Sequence, residues 1–405
     1  MVEPGRPDPA TAVQRFLRPG TLQLEALPPL SLYVHLPWCL AKCPYCDFNS
    51  HALIDRKLPE ARYVDALTSD LEAALPLVWG RPVISVFIGG GTPSLFSPES
   101  IERLLSTLRS LLPLAPGCEI TLEANPGTFE RERFRAFAQA GVTRLSIGVQ
   151  SFDDESLRRI GRVHDASQAR AAVQEARESF ASFNIDLMYA LPGQTLAGLQ
   201  ADLGEALAFE PPHLSIYHLT IEPNTRFALD PPALPDDDLA SEMLDLIVAS
   251  AERAGLRRYE VSAFARDGRR CLHNLNYWHF GDYLGLGAGA HGKLSFPHRV
   301  VRQQRWREPM RYIEQALAGQ AISNEQEVAR VALPFEFMLN ALRLREGFEP
   351  ALFTERTGLP MSAVSDALDE AERRGLVVRE PGRIRPTARG FDFLSDLQQL
   401  FLPPS

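Results

Sequence analysis

Short runs that are apolar or alternate between apolar and polar residues recur along the first half of the chain. They are SLYVHL (31–36), VISVFI (83–88), EITLEA (119–124), RLSIGV (144–149), FNIDLMY (183–189) and LSIYHL (214–219). Each has strand length and is rich in β-branched or aromatic residues, so each predicts a strand. The stretches 60–75, 98–112, 130–141 and 196–209 instead carry apolar residues at three- and four-residue spacing, the signature of amphipathic helices. Ser97-Pro98 fits a helix start, a capping serine followed by proline at the first helical position.

Repeated strand–helix alternation predicts a parallel sheet with crossover helices. The unusual residues choose between an open sheet and a barrel. HLPWC, GGGTPS, EANPG, GVQSF, DLMYALPG and HLTIEPN each sit at the C-terminal end of an expected strand. A doubly wound sheet gathers its ligand at one switch point, whereas a barrel spreads site residues over all its strand ends. The expected fold is therefore α/β: a partial β/α barrel of six units over residues 26–255. Residues 1–25 are expected to form a flexible tail and 256–329 a connecting region. Residues 330–405, with EFMLNALRL, SAVSDALDEAERRGLVV and the pair VVRE/RIRPT, predict a small helical, winged-helix-like domain.

Composition narrows the function classes. The chain has 405 residues, 45% hydrophobic and 23% charged, as a folded globular protein does, and a net charge of −9. That charge argues against nonspecific nucleic-acid binding. No apolar run reaches spanning length, and the opening MVEPGRPDPATAV lacks the apolar stretch of a secretory signal. A cytoplasmic location is expected.

Five cysteines do not make a disulfide framework, and three of them, Cys39, Cys43 and Cys46, lie within eight residues as C-x3-C-x2-C. Three thiolates on one loop can hold three corners of a [4Fe–4S] cluster and leave one iron for an exogenous ligand. The alternative is zinc, with His35 or His51 as a fourth ligand. Cys118, just before a strand, reads as a small hydrophobe. Gly89, Gly90 and Gly91 end a strand and allow close approach of backbone to a polar ligand.

With this spacing the chain resembles the radical S-adenosylmethionine superfamily, whose core fold is a six-unit partial barrel. The resemblance implies a [4Fe–4S] cluster on Cys39, Cys43 and Cys46. It also implies S-adenosylmethionine on the unique iron, cleaved by one electron to a 5′-deoxyadenosyl radical. Within that superfamily the chain is similar to the oxygen-independent coproporphyrinogen III dehydrogenase group over roughly residues 30–400. This implies cofactor contacts at Tyr33, Gly90, Gly91, Thr92, Glu123, Gln150, Arg162 and Asp186.

Two branches of that group differ in function. The dehydrogenases carry a further cysteine two residues after the third, where this chain has Phe48, and a long N-terminal extension, where this chain has only 38 residues before Cys39. WCLAKCPYCDFNSH and HNLNYW (273–278) look like the haem chaperone branch. That resemblance implies haem bound near His273 and passed to haem-requiring respiratory proteins, with transient approach to a membrane surface and a homodimer left open. Imidazole is a common haem ligand and Tyr277 and Trp278 offer apolar faces; Cys271 is the alternative ligand. His291 is a minor candidate. Arg299, Arg302, Arg305, Arg307 and Arg311 are candidates for haem propionates or a partner. The alternative function is anaerobic decarboxylating dehydrogenation of coproporphyrinogen III.

Overall fold

A computed structural model describes residues 22–53, 57–127 and 131–403. Strands β1 (Leu30–Leu36), β2 (Val83–Gly90), β3 (Leu114–Ala124), β4 (Arg144–Gln150), β5 (Ser182–Tyr189) and β6 (His213–His218) lie side by side in chain order, every neighbour parallel. Between them run α1 (Glu60–Val78), α2 (Pro98–Leu111), α3 (Arg131–Ala140), α4 (Asp154–Arg159), α5 (Ala166–Ser179) and α6 (Leu196–Ala208). Ser97 caps α2, accepting from the Ser100 N–H at 3.2 Å.

The alternation along each strand explains the two faces of this sheet. Val86, Ile88, Ile120, Leu122, Leu145, Ile147, Ile185, Leu187, Leu214 and Ile216 join the main core with Leu67 and Leu71 of α1 and Leu104 and Leu108 of α2. The intervening positions carry Phe87, Glu123, Arg144, Ser146, Gln150, Asn184, Asp186 and Ser215, which line a cavity on the opposite face. A parallel sheet usually buries apolar residues on both faces. Here one face packs helices and the other is polar, as a curved sheet wrapped around a polar ligand requires.

Residues 256–329 are more than a connection. After α7 (Asp237–Arg253), β7 (Arg257–Arg258) and β8 (Ala263–Ala265) extend one edge of the sheet beyond β6. Helix α8 (Leu272–Trp278) follows, and β9 (Asp282–Leu286) then pairs parallel to β1 at the other side. Strands β10 (His291–Phe296), β11 (Arg299–Arg305) and β12 (Ile322–Glu327), with α9 (Pro309–Leu317) between the last two, continue the sheet antiparallel. The described sheet thus has twelve strands, ordered β12-β11-β10-β9-β1-β2-β3-β4-β5-β6-β8-β7. Buried ion pairs fix the added strands to the barrel. Asp282 accepts from Arg81 at 2.8 Å, Lys293 at 3.0 Å and the Ser295 hydroxyl at 2.7 Å. Arg305 reaches Asp70 of α1 at 3.1 Å, and the Tyr312 hydroxyl donates to Asp70 at 3.0 Å.

The C-terminal unit consists of α10 (Leu333–Ala341), α11 (Pro350–Thr357), α12 (Ser365–Arg373), the hairpin β13 (Val377–Glu380)–β14 (Arg383–Pro386) and the short helices α13 (Ala388–Asp392) and α14 (Leu394–Gln399). Phe337, Phe348 and Phe353 form its centre, with edge-on ring contacts at 5.0 and 5.3 Å. Its core includes Leu22, Phe280 and Val300, so it is docked against the sheet extension. The expected tail over 1–25 is corrected in part. Leu22 and Leu24 are buried, and their N–H groups donate to His298 and Pro297 carbonyls at 3.1 and 2.9 Å. The remainder, residues 1–21, lies outside the described residues.

Candidate functional site

The strand ends, the cysteine loop and α8 enclose a cavity of about 1130 Å³. Tyr33, Cys39, Cys43, Cys46, Gly90, Gly91, Thr92, Glu123, Gln150, Arg162, Asp186 and His273 all line it. These residues are spread over 241 positions of sequence, from 33 to 273, and a single space brings them together.

The loop is closed at its base. Trp38–Cys39 pairs with His51–Ala52; the His51 N–H donates to the Pro37 carbonyl at 2.7 Å and the Leu53 N–H to that of Cys39 at 2.9 Å. Within it the Cys46 N–H donates to the Cys43 carbonyl at 3.2 Å, turning both side chains inward. All three cysteines are free thiols. Burial pushes the Cys39 thiol up to about 11, so it keeps its proton until a bound metal displaces it. The zinc alternative loses one of its candidate ligands. His35 is turned the other way, with Nδ1 2.7 Å from the Tyr33 hydroxyl and Nε2 2.9 Å from the Asn49 carbonyl. Nε2–H therefore donates to the carbonyl and Nδ1 accepts from Tyr33; burial lowers this imidazole to about 4, which keeps it neutral.

The glycines run under the loop. The Gly91 and Thr92 N–H groups donate to Leu36 and Trp38 carbonyls at 2.8 and 2.7 Å. A Cβ on Gly91 would lie 2.5 Å from the Trp38 oxygen, so no larger residue fits between β2 and the loop. Gly90 gives its N–H to Glu123 at 3.1 Å.

Glu123 on β3 and Asp186 on β5, with β4 between them, place two half-buried carboxylates on the cavity face of the sheet. Burial, then the charge of Asp186, raises Glu123 to about 7, against the opposing Gly90 N–H. Burial also raises Asp186, although Asn184 and Ser146 donate to it at 2.7 and 3.1 Å. Because the folded-state value of Glu123 lies above its unfolded value of 4.5, folding binds a proton there. Its stabilising contribution is present below pH 4.5 and is lost as pH rises through 7. Glu123→Gln is expected to flatten the fall in stability of the ligand-free protein between these limits, read as urea midpoint against pH.

Arg162 closes the side near Cys43. It donates to Asn125 at 2.7 Å and the Gly148 carbonyl at 2.6 Å, and its guanidinium is 3.7 Å from the Cys43 sulfur. Arg162 Nε, Arg144 Nε and Trp278 Nε1 are buried N–H donors with no protein acceptor, on three residues that line the cavity. Unspent buried donors of this kind fit a polar or anionic ligand. Gln150, at φ 70°, holds a left-handed conformation at the end of β4, turning the chain there toward Arg162.

The other end of the cavity is built on α8. The His273 ring stacks on Phe87 at 4.1 Å, and Phe87 in turn stacks on Tyr33 at 5.9 Å. One aromatic column thus joins the two ends. His273 Nδ1 lies 3.3 Å from Glu119 Oε1 and 3.0 Å from Cys271 Sγ. Burial lowers His273 despite Glu119, leaving a neutral imidazole, and pushes the Cys271 thiol up to about 12. Cys271 is a protonated thiol at neutral pH. Tyr277 and Trp278 also line the cavity, with Arg343 4.3 Å over the Trp278 ring.

The candidate arginines divide. Arg299 pairs with Glu327 at 3.0 Å, Arg305 is buried against Asp70, and Arg311 lies 3.6 Å over Trp306; none of them lines the cavity. Arg302, tied to Glu336, and Arg307 do line it, as does His291. Glu119, Phe87, Asn125 and Arg144 were absent from the sequence reading. Their signal was present: each strand residue shares the period-two face of a recognised one, as Glu119 does with Glu123.

A model of the Radical SAM superfamily matches residues 33–205, and one of the HemN C-terminal domain matches residues 329–393. A protein described as Heme chaperone HemW from Haemophilus influenzae is 47% identical over 385 residues, spanning 94% of this chain and 99% of that protein. Its counterpart from Escherichia coli is 46% identical over 378 residues, spanning 93% and 99%. This chain belongs to the HemW family. Like other radical S-adenosylmethionine proteins, a HemW-family chain uses a [4Fe–4S] cluster and S-adenosylmethionine, and the free thiols, paired carboxylates and unspent donors described above suit both. The solved structure of the coproporphyrinogen III oxidase HemN from Escherichia coli shares the fold, with a TM-score of 0.81 over 97% of this chain and 93% of that one. Its 25% identity is well below that of the HemW proteins.

Proposed function

We propose that the protein is a haem chaperone that binds haem at the His273 end of the cavity and passes it to haem-requiring respiratory proteins. The observation that carries this reading is the single cavity with two chemically different ends, cysteine thiols and paired carboxylates at one, a neutral imidazole among aromatic faces at the other. In this reading Cys39, Cys43 and Cys46 hold the cluster. Tyr33, Gly90, Gly91, Thr92, Glu123, Gln150, Arg162 and Asp186 contact S-adenosylmethionine. Carboxylates suit ribose hydroxyls, and a guanidinium suits a carboxylate. When bound, the cluster and S-adenosylmethionine supply one-electron chemistry; the chain's residues orient them and limit their access to water.

His273 is favoured over Cys271 as the haem ligand because its imidazole is neutral, whereas the Cys271 thiol would have to lose a proton held to about 12. Tyr277 and Trp278 supply faces for the porphyrin. The same reading puts the protein in the cytoplasm, near the membrane when it delivers haem, with a homodimer as candidate assembly. No helix among the described residues is long and apolar enough to cross a membrane.

The test is anaerobic and has two arms. Cluster-loaded protein is titrated with haem and, in parallel, offered coproporphyrinogen III. Saturable haem binding without decarboxylation is expected. His273→Ala should weaken haem binding at least tenfold, the loss of about 1.4 kcal/mol or more, and leave the iron–sulfur absorption intact. Turnover of the porphyrinogen without saturable haem binding would overturn the proposal.

A further inference from the structure

We propose that Glu119 is a positioning residue for His273: its carboxylate accepts the Nδ1 proton and leaves Nε2 as the nitrogen offered to haem iron. The inference rests on haem binding at His273 and adds a residue that neither the cysteine motif nor the HNLNYW segment contains.

The geometry comes from two elements remote in sequence. Glu119 lies on β3 and His273 in the first turn of α8, yet Oε1 is 3.3 Å from Nδ1. The same oxygen accepts the Leu272 N–H at 3.0 Å, which ties the start of α8 to β3. Arg144, the neighbouring buried cation, balances the carboxylate charge. An ionised carboxylate can only accept, so the one proton of a neutral imidazole belongs on Nδ1 and the lone pair on Nε2. Glu119 does not line the cavity, whereas His273 does. The nitrogen across the ring from Glu119 is therefore the one available to a cavity ligand. Phe87, stacked on the ring with an interplanar angle of 24°, fixes its plane. Cys271 Sγ lies beside both ring nitrogens, 3.0 Å from Nδ1 and 3.3 Å from Nε2, so haem must push it aside to reach Nε2.

A carboxylate behind a ligating histidine does more than hold it. By drawing on the Nδ1 proton it makes Nε2 a stronger donor, which favours the more highly charged metal state, and outer partners of this kind commonly matter by roughly 10–100-fold in metal affinity. Ferric haem should therefore be bound more tightly, and its reduction potential set lower, than by an unassisted imidazole.

The test uses full-length, cluster-loaded protein and haem. Glu119→Gln keeps the size of the side chain and removes its charge; Glu119→Asp keeps the charge. Glu119→Gln is expected to weaken ferric haem binding roughly 10–100-fold and to raise the haem potential, while Glu119→Asp stays nearer the parent on both. A purely structural role would lower thermal stability without moving the potential. A second measurement needs no change at Glu119. In His273→Gly, imidazole supplied in solution can ligate haem and still donate an N–H to Glu119, whereas 1-methylimidazole cannot. Imidazole should give the lower haem potential of the two.

Equal potentials with the two ligands, or parental affinity and potential in Glu119→Gln, would overturn the role of Glu119 alone, provided His273→Ala still loses haem. If His273→Ala binds haem as the parent does, the haem site itself is misassigned and the role of Glu119 falls with it.

Discussion

Cys43→Ala is expected to reduce iron and acid-labile sulfide to background after anaerobic reconstitution, and to abolish S-adenosylmethionine binding. Cys43 stands between the other two thiols in the motif and next to Arg162, whose guanidinium lies 3.7 Å from its sulfur. Two thiols cannot hold a four-iron cluster against solvent exchange, and without the unique iron the methionine group of the cofactor loses its anchor. The fold should survive. The loop is closed by backbone hydrogen bonds at Pro37 and Cys39, and no ladder of the main sheet passes through it. The unfolding free energy of the metal-free chain should change by less than about 1 kcal/mol. Haem binding should persist, because His273, Glu119 and Phe87 belong to α8, β3 and β2. Iron, sulfide and haem titrations on one preparation check all three statements, and joint loss of cluster and haem would mean that the two ends are not separable.

Asp282→Asn is expected to have the largest effect on stability. Asp282 is fully buried and balances two cations, Lys293, whose side chain is 2% exposed, and Arg81, at 12%. It also accepts from the Ser295 N–H at 2.8 Å. These contacts join β9 and β10 to the segment preceding β2. Removing the charge leaves buried cations without compensation, and breaking pairs of this kind costs about 3–5 kcal/mol. Urea unfolding should show a lowered midpoint with little change in slope. A loss under about 1 kcal/mol would mean that water reaches Lys293 and Arg81. Lys293 also lines the cavity, so weakened haem binding should accompany the loss.

Much of this architecture was legible along the chain, for an identifiable reason. The strands β1 to β6 bury one apolar face under helices, so their alternation and the helical spacing between them survive as local pattern. The C-x3-C-x2-C loop was legible because its chemistry is contained in eight consecutive residues. The extension was not. Asp282, Lys293, Arg299 and Arg305 are charged yet interior, each neutralised by a partner on another strand or helix that local pattern does not reveal. The same property hid Glu119 and Arg144, whose meaning depends on a helix that begins more than a hundred residues later. Of the arginines after Pro297, offered together as candidates for haem propionates or a partner, Arg299 and Arg305 form buried pairs from β11 and Arg302 reaches the cavity from the same strand, because alternate positions face opposite ways. Arg307 also lines the cavity, and Arg311 is exposed over Trp306.

The aromatic column Tyr33–Phe87–His273 gives the two ends a physical connection. Tyr33 and His273 both pack on Phe87, one from each end of the cavity.

The central claim is that one cavity carries an iron–sulfur cluster at the cysteine loop and haem iron at His273. It is tested most directly by an iron anomalous difference map from crystals of cluster-loaded, haem-saturated protein. The account predicts iron density bounded by Cys39, Cys43 and Cys46, with a separate single iron facing His273 Nε2 in the same cavity. Haem iron on the cysteine loop, or on a surface away from α8, would contradict it.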